Sequence, residues 1–288
     1  MICELCPRRC GTDRAKAVGF CGVGEEIKIA RAALHYWEEP CISGTKGSGT
    51  VFFSGCILRC VFCQNREIST KAFGKAIPAS RLRKIFEELI EKGAHNINLV
   101  SPTQFTPWIL KALEQPLSVP VVWNTGGYER LETLRQLEGR VQIYLPDLKY
   151  VSSEMSKKYS GAADYFAVTS QAILEMYRQV GAYQMGENGL LKSGVIIRHM
   201  MMPGGLADTK RVIDWVAEHF VHGQVLFSLM SQYTPIAGVP KEIARHVTKS
   251  EYNAACAYME NCGLTEGFQQ ERCAAKEEYT PPFDLTGV

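Results

Sequence analysis

The sequence predicts an α/β protein in which helices cover a sheet of parallel strands. After residue 50, short apolar runs alternate with segments of helical spacing, and each run is apolar almost without interruption. Strands that are buried on both faces have this composition, because helices cover a parallel sheet. Hydrophobic residues make up 46% of the 288-residue chain, which is enough for a full core.

Six strand–helix units follow one another from residue 50 onward. The strands are expected at residues 50–55, 97–103, 120–127, 141–150, 194–205 and 224–235. The helices are expected at residues 79–93, 105–115, 130–140, 170–181, 207–220 and 249–263. This pattern fits both a doubly wound sheet and an incomplete barrel, and both architectures place ligands at the C-terminal ends of the strands.

Polar residues follow each of the six predicted strands. They are Ser54–Gly55, Ser101–Thr103, Asn124–Thr125, Asp147–Lys149, Arg198–His199 and Ser231–Tyr233. Loops are generally polar, which would explain one or two of these groups. Six in succession favour the lining of a single site at the C-terminal strand ends.

Residues 1–49 depart from this pattern and are rich in cysteine, glycine and charge. We expect a cysteine-rich metal-binding segment at residues 1–49 and a barrel domain at residues 50–288. The spacing C-x2-C-x3-C-x10-C suits a closed tetrahedral site for zinc or a second [4Fe–4S] cluster, and four thiols without metal are the simpler alternative. The four ligands would be Cys3, Cys6, Cys10 and Cys21. Such a centre would fold a segment too small for its own core; electron relay and substrate binding are alternative roles.

Composition limits the partners and the compartment. The net charge is +2, without a basic tail, so neither nucleic acid nor a membrane surface is indicated as a partner. No apolar run could span a bilayer, and the first ten residues lack the apolar core of a signal peptide. We therefore expect a cytoplasmic protein. Eleven cysteines, an odd number, do not favour a disulfide framework there. The spacing assigns no role to Cys41, Cys256, Cys262 or Cys273.

A second group of cysteines follows the first predicted strand. Cys56, Cys60 and Cys63 have the spacing C-x3-C-x2-C, so one loop can bring all three thiolates to one centre. A cubane iron–sulfur cluster normally takes four thiolates, and three would leave one iron open to a substrate or cofactor. A structural zinc site that borrows a distant fourth ligand is the alternative.

The segment SGCILRCVFCQN resembles the cluster loop of radical S-adenosylmethionine (radical SAM) enzymes, including the aromatic Phe62 before the last cysteine. The resemblance extends from residue 50 to about residue 265. SGTKGSGTVFFSGC, NLVSPTQFTP, DLKY, RHMMMPGG and MSQYTP resemble proteins described as similar to pyruvate formate-lyase activating enzyme. The resemblance to radical SAM enzymes implies a partial (β/α)6 TIM-like barrel of parallel strands. It also implies a [4Fe–4S] cluster, S-adenosylmethionine and a one-electron donor such as flavodoxin or ferredoxin.

The resemblance also implies a reaction. The open iron would bind the amino and carboxylate groups of S-adenosylmethionine, and one electron from the reduced cluster would cleave the sulfonium. The resulting 5′-deoxyadenosyl radical would remove a hydrogen atom from the substrate. A glycine of a partner enzyme is the substrate that the subgroup suggests. The alternatives are a peptide, a small metabolite, or a non-catalytic iron–sulfur or zinc protein.

Several cofactor contacts are implied near the first two strand ends. Phe62 and Gln64 would contact the adenine. The family often has Gly-Gly-Glu-Pro after its second strand, where the amino group of the cofactor binds. This chain has Ser101-Pro102-Thr103-Gln104 instead, so Ser101 and Thr103 would provide backbone or hydroxyl contacts.

Further contacts are implied at the third and fourth strand ends. Asn124 and Thr125 match positions near the methionyl or ribose part of the cofactor. Asp147 and Lys149 match an Asp-x-Lys motif whose aspartate helps to hold a monovalent cation in activating enzymes. The alternative interpretation of this pair is a simple ion pair on one strand face.

The last two strands contribute three more candidates. Arg198 would pair with a carboxylate or a ribose oxygen, or alternatively anchor a helix C-terminus. Activating enzymes carry a histidine near the ribose on their sixth strand. Here Gln232 or Tyr233 would take that role.

Overall fold

The computed structural model describes residues 2–269 and 280–288. The strands are β1 (Ile27–His35), β2 (Ser48–Phe53), β3 (Lys75–Ile77), β4 (Ile97–Val100), β5 (Val121–Thr125), β6 (Ile143–Pro146), β7 (Gln184–Met185), β8 (Leu191–Met200), β9 (Leu226–Met230) and β10 (Gly267–Gln269). The α-helices are α1 (Pro40–Ser43), α2 (Arg66–Ser69), α3 (Ala79–Glu91), α4 (Thr106–Ala112), α5 (Leu131–Arg135), α6 (Ser153–Ser160), α7 (Tyr165–Val180), α8 (Leu206–His219) and α9 (Lys249–Asn261). Short 3-10 helices occupy Thr103–Phe105 and Lys241–Ile243.

The strand order decides between the two predicted architectures. Strands β2, β4, β5, β6, β8 and β9 pair in parallel and lie side by side in the order of the chain. A doubly wound sheet would reverse its order at a switch point, and this sheet does not. The predicted partial barrel is therefore confirmed. Antiparallel β1 extends one side of the sheet and parallel β10 extends the other.

Helices pack on the outside of the sheet through apolar stripes at helical spacing. In α3 the buried stripe consists of Leu82, Ile85, Phe86 and Leu89. The barrel interior has a separate apolar layer at the N-terminal ends of the strands, which includes Val122, Ile143, Leu145, Ile196 and Leu226. The C-terminal ends of the strands are left for polar side chains.

Helix α1 lies inside the barrel. Its Cys41 and Ile42 are buried in the interior apolar layer, so the helix closes the N-terminal end of the barrel. The backbone reaches this position from β1, which pairs antiparallel with β2 from Ile29 to His35. The domain division at residue 49 stays a prediction, although β1 and β2 lie in one sheet.

Element boundaries differ from the predicted ones where the local backbone interrupts the pattern. The strand predicted at residues 97–103 ends at Val100, because Ser101 has a φ of 55°, which no strand accommodates. The strand predicted at residues 141–150 ends at Pro146. The helix predicted at residues 130–140 ends at Arg135, and turns follow it. Cys273 lies outside the described residues.

No helix in residues 2–269 or 280–288 combines the length and the apolar character that a bilayer crossing would need.

Candidate functional site

The loop that carries the three cysteines leaves the C-terminal end of β2. Gly55 begins it with a φ of +80°, and a Cβ there would lie 2.6 Å from the Cys21 carbonyl oxygen. The Cys56 N–H donates to that same oxygen at 3.2 Å. Glycine is therefore required at this position, and the loop is attached directly to the N-terminal cysteine segment.

Hydrogen-bond donors surround the three sulfur atoms. The Leu58 N–H lies 3.5 Å from Cys56 Sγ, Ser160 Oγ lies 3.0 Å from Cys60 Sγ, and Ser69 Oγ donates to Cys63 Sγ at 3.3 Å. Hydrogen bonds to sulfur are one of the means by which proteins stabilise cluster thiolates. Each of the three sulfur atoms thus has a polar group in position to stabilise a thiolate.

Without a metal, burial opposes that charge. It raises the pKa of the Cys60 thiol to about 12, against a lowering by the nearby Lys149. Burial and the neighbouring Cys56 likewise raise the pKa of Cys63. Because metal centres bind thiolates, assembly of a cluster on this loop would release protons.

The three thiols border a cavity of about 240 Å³ at the C-terminal strand ends. The predicted site residues that line it are Cys56, Cys60, Phe62, Cys63, Gln64, Ser101, Asn124, Thr125, Asp147, Lys149, Arg198, Gln232 and Tyr233. Soft thiolate donors beside one cavity suit an iron–sulfur cluster with an open side. Within residues 2–269 and 280–288, no three His, Cys, Asp or Glu side chains converge closely enough to enclose a single ion.

A charged network forms one wall of this cavity. The Arg198 guanidinium donates to Asp147 Oδ1 at 2.9 Å and to Asn124 Oδ1 at 2.6 Å. The Lys149 ammonium donates to the second oxygen, Asp147 Oδ2. Burial raises the pKa of Asp147, but the two cations outweigh it and hold that pKa below its usual range. The resemblance implied that this aspartate holds a monovalent cation in activating enzymes. Here the Lys149 ammonium group is the cation beside Asp147.

Glu38 completes the network and was not among the residues predicted from the sequence. Its carboxylate accepts hydrogen bonds of 3.1 Å from Asn98, Asn124 and Arg198. The backbone between β1 and α1 places Glu38 inside the barrel, although this segment belongs to the predicted metal-binding segment at residues 1–49. The only sequence signal was an acidic pair, Glu38–Glu39, directly before a proline.

Thr103 points away from the cavity. Its hydroxyl donates to Glu129 Oε1 at 2.6 Å, and the Thr125 hydroxyl and the Trp123 indole N–H donate to the same oxygen. Glu129 is buried, and burial raises its pKa. This carboxylate, also missed in the sequence, connects the loops that follow β4 and β5.

Two aromatic rings shape the other side of the cavity. Phe62 is buried and lies 6.0 Å from the ring of Tyr233. The Tyr233 hydroxyl donates to the Ile243 carbonyl oxygen at 2.8 Å, so Tyr233 offers its ring to the cavity. Of the two candidates in the segment that follows β9, Gln232 therefore presents the polar side chain to the cavity.

The four N-terminal thiols are neighbours that interact in pairs, although no three of them converge closely enough to enclose an ion. A Cβ on Gly19 would lie 3.4 Å from Cys10 Sγ and 3.5 Å from Cys21 Sγ, and Cys3 interacts electrostatically with Cys6 and Cys21. Burial raises the pKa of Cys6 to about 12. At Cys10 hydrogen bonds from Thr12 and Phe20 outweigh burial and lower the pKa to about 7.

Arg8 attaches this segment to the barrel. Its guanidinium donates to the Ile57 carbonyl oxygen at 2.8 Å and to the Ser160 carbonyl oxygen at 2.9 Å. Ile57 belongs to the three-cysteine loop, and Ser160 is the α6 residue whose hydroxyl contacts Cys60. The N-terminal segment therefore helps to position the three-cysteine loop.

Comparisons with known proteins agree with this geometry. A family described as a 4Fe-4S single cluster domain matches residues 43–139, which include the three-cysteine loop. The uncharacterized protein MJ0674 of Methanocaldococcus jannaschii is 31% identical over 275 residues, which cover 91% of this chain and 75% of that protein.

Solved structures of SuiB from Streptococcus suis share the fold. SuiB bound to the precursor peptide SuiA has a TM-score of 0.53, and SuiB bound to S-adenosylmethionine has one of 0.52, each at 12% identity. Both matches cover 75% of this chain, but only 46% and 48% of the SuiB chains, so this chain spans about half the length of SuiB. The chain belongs to the same family as the Methanocaldococcus jannaschii protein, and it shares the fold of SuiB.

Proposed function

We propose that this protein is a cytoplasmic radical SAM oxidoreductase that resembles glycyl-radical activating enzymes. The observation that carries the proposal is that the three-cysteine loop and polar residues at or near the C-terminal ends of β4, β5, β6, β8 and β9 line one cavity. A non-catalytic iron–sulfur carrier would not require such a cavity. When bound, the cluster and S-adenosylmethionine supply a 5′-deoxyadenosyl radical that removes a hydrogen atom from the substrate.

The chain's own residues have distinct parts in this proposal. Cys56, Cys60 and Cys63 hold the cluster at the mouth of the barrel. Phe62 covers the apolar side of the cofactor cavity, and the charged network of Asp147, Lys149 and Arg198 orients the polar side. Because Lys149 already neutralises Asp147, we propose that no monovalent cation is needed at this carboxylate.

A glycine Cα of a partner enzyme is the substrate that the subgroup resemblance supports. The open sheet supports entry of a polypeptide loop from the side, since its two edges do not pair with each other in the described part of the chain. A peptide or a small metabolite is the alternative substrate. Flavodoxin or ferredoxin is the proposed electron donor.

The proposed reaction is tested by anaerobic reconstitution of the full chain with iron and sulfide. Under reduction, the protein is expected to convert S-adenosylmethionine to 5′-deoxyadenosine and methionine in equal amounts, which chromatography measures. Absence of 5′-deoxyadenosine from the iron-loaded protein would refute the enzymatic proposal. Incubation with a candidate glycyl-radical enzyme, followed by electron paramagnetic resonance, would then show a glycyl doublet if activation is the function.

We further propose that the N-terminal cysteines bind a second metal centre. A Cys56/Cys60/Cys63→Ala variant is expected to retain one equivalent of zinc, or the iron of one cluster, because its four N-terminal thiols are unchanged. Elemental analysis distinguishes the two metals. A Cys6→Ala change in the same background should remove the remaining metal, whereas Cys41→Ala, a buried thiol inside the barrel, should not. A triple variant that is free of metal contradicts the proposal.

A further inference from the structure

A second cavity adjoins the one that holds the cluster loop. Its volume is about 390 Å³, and it shares Arg198, Met230 and Gln232 with the candidate cofactor cavity as common walls. Its other walls come from the segment between β1 and α1, from β9 and from the edge strand β10. We call this space the side chamber.

Two buried polar groups in the side chamber have no hydrogen-bond partner. Glu39 is 7% exposed and its Oε2 atom is unpaired, and Ser228 is 0% exposed with an unpaired hydroxyl. The Ser228 hydroxyl lies beside the Glu39 carboxylate and lowers its pKa, but the two groups do not reach the geometry of a full hydrogen bond. A buried polar group without a partner costs about 1–3 kcal/mol, and more for a charged one. The folded chain therefore keeps a carboxylate oxygen and a hydroxyl without full hydrogen bonds, side by side at a cavity large enough for a ligand.

Charge around the side chamber favours a cationic ligand. Glu38, Glu39 and Asp147 bring three carboxylates to this part of the barrel, whereas the network contains two cations, Lys149 and Arg198. Arg198 is engaged by Asp147 and Glu38 rather than by Glu39. Burial raises the pKa of Glu39, Arg198 lowers it and Glu38 raises it further. Glu39 therefore has no paired cation among the described residues, and a bound cation would favour its ionised form.

The remaining walls select among cations. One carboxylate and one hydroxyl are too few oxygen ligands for Ca²⁺ or Mg²⁺, which take six or more with their waters. An alkylammonium group has three N–H donors, which match the Glu39 carboxylate, the Ser228 hydroxyl and the amide oxygen of Gln232. Trp37 and Phe268 line the same chamber and provide apolar surface for the alkyl part.

We propose that the side chamber binds a primary ammonium group of the substrate through Glu39 and Ser228. The description of this occupant as the substrate rests on the proposed function, because the shared walls place it beside the cofactor cavity. The ammonium site itself does not depend on that function. Its source is either a small amine or a lysine side chain, which have the same chemistry.

Ligand-observed NMR titration of the reconstituted full chain tests the ammonium site without any turnover. Butylammonium is expected to bind, whereas butyrate and tetramethylammonium are not, because one has the wrong charge and the other has no N–H donor. Binding of Nα-acetyl-lysine methylamide as well would identify a lysine side chain as the source. Binding of butylammonium alone would identify a small amine. Failure of butylammonium to bind, or equal binding of tetramethylammonium, overturns the proposal.

Variants separate ligand binding from a structural role of the carboxylate. Glu39→Gln is expected to weaken butylammonium binding roughly 10- to 100-fold and Ser228→Ala about 3- to 10-fold, as for lost charged and neutral hydrogen bonds. Glu87→Gln, on the outer face of α3, is the matched control and should not change binding. The Glu39→Gln protein should unfold at the wild-type denaturant concentration or above it, because an unpaired buried carboxylate is removed.

The proposal is overturned if the Glu39→Gln protein binds butylammonium as tightly as the wild type does. It is also overturned if this variant is less stable than the wild type but binds butylammonium equally well. Cleavage of S-adenosylmethionine by the wild type, assayed without any amine, reports separately on the proposed function. A protein that cleaves the cofactor but binds no butylammonium would disprove only the side-chamber proposal. A protein that binds butylammonium but never cleaves the cofactor would disprove only the enzymatic one.

Discussion

Replacement of Cys60 by alanine is expected to abolish both cluster binding and reductive cleavage of S-adenosylmethionine. Only three thiols border the cavity in the described part of the chain, so the variant would leave two ligands for a cluster that normally takes four. Cys60 is also the most enclosed of the three, at 9% exposure, and its sulfur lies 3.0 Å from Ser160 Oγ. Iron bound after anaerobic reconstitution and 5′-deoxyadenosine formed under reduction should both fall to the level of a sample without iron.

The matched control is Cys256→Ala, which removes a half-buried thiol on α9 outside the cavity. Its iron content and product formation should equal those of the wild type. Each substitution should change the free energy of unfolding of the metal-free protein by only about 1 kcal/mol. A Cys60→Ala protein that cleaves S-adenosylmethionine at the wild-type rate would show that the three-cysteine loop is not the cluster site.

Replacement of Arg198 by methionine is expected to cause the largest loss of stability among the site residues. The side chain is 14% exposed and pairs with both Asp147 and Glu38, at 2.9 and 3.1 Å. Methionine fills a similar volume but leaves Glu38 without a cation and Asp147 with only Lys149. Removing one partner of a buried ion pair typically costs about 3–5 kcal/mol, because the remaining charge is uncompensated. Urea unfolding of the metal-free chain measures this difference.

The pH dependence of this loss provides a second test. In the wild type the pKa of Asp147 is held low, so its stabilising ionised form persists until the pH falls through that pKa. In Arg198→Met the Asp147 carboxylate keeps only Lys149 as a cationic partner, and its pKa rises. Asp147 then protonates more readily than in the wild type, so the difference in stability from the wild type should shrink as the pH falls.

The control for Arg198→Met is Arg178→Met, an exposed arginine that pairs with Glu138 and Glu175. Screened surface pairs contribute little, so its unfolding curve should remain close to that of the wild type. Adding Glu38→Gln to Arg198→Met should recover part of the lost stability, because the two residues are in direct contact. Equal effects of the two arginine variants would contradict the assigned role of the network.

Local patterns in the sequence predicted most of the scaffold. Each of the six predicted strand–helix units is present, because apolar periodicity reports directly on which face of an element is buried. The ends of the elements were less accurate. Ser101 illustrates the reason. Its left-handed backbone conformation ends β4, and serine is not a residue type from which that conformation could be predicted.

The candidate site was predicted in part. Cys56, Cys60 and Cys63 are close in the chain, so their spacing alone indicated one centre. Asp147 and Arg198 were predicted only as polar residues near the ends of two different strands, and their contact with each other was not predicted. Their mutual hydrogen bond depends on the parallel pairing of β6 with β8, which no local pattern specifies.

The sequence by itself indicated the proposed class of chemistry. The three predicted cluster ligands lie on one loop of eight residues, and polar residues recur at the ends of the predicted strands. Tertiary structure alone decided between a barrel and a doubly wound sheet, since strand order is a property of distant segments. It also brought Glu38 and Glu39 from the segment after β1 into the barrel interior, beside Arg198 and Ser228. Glutamates usually lie on the surface, and nothing in the local sequence predicts that these two are buried. They line the side chamber because long-range packing places the segment after β1 inside the barrel.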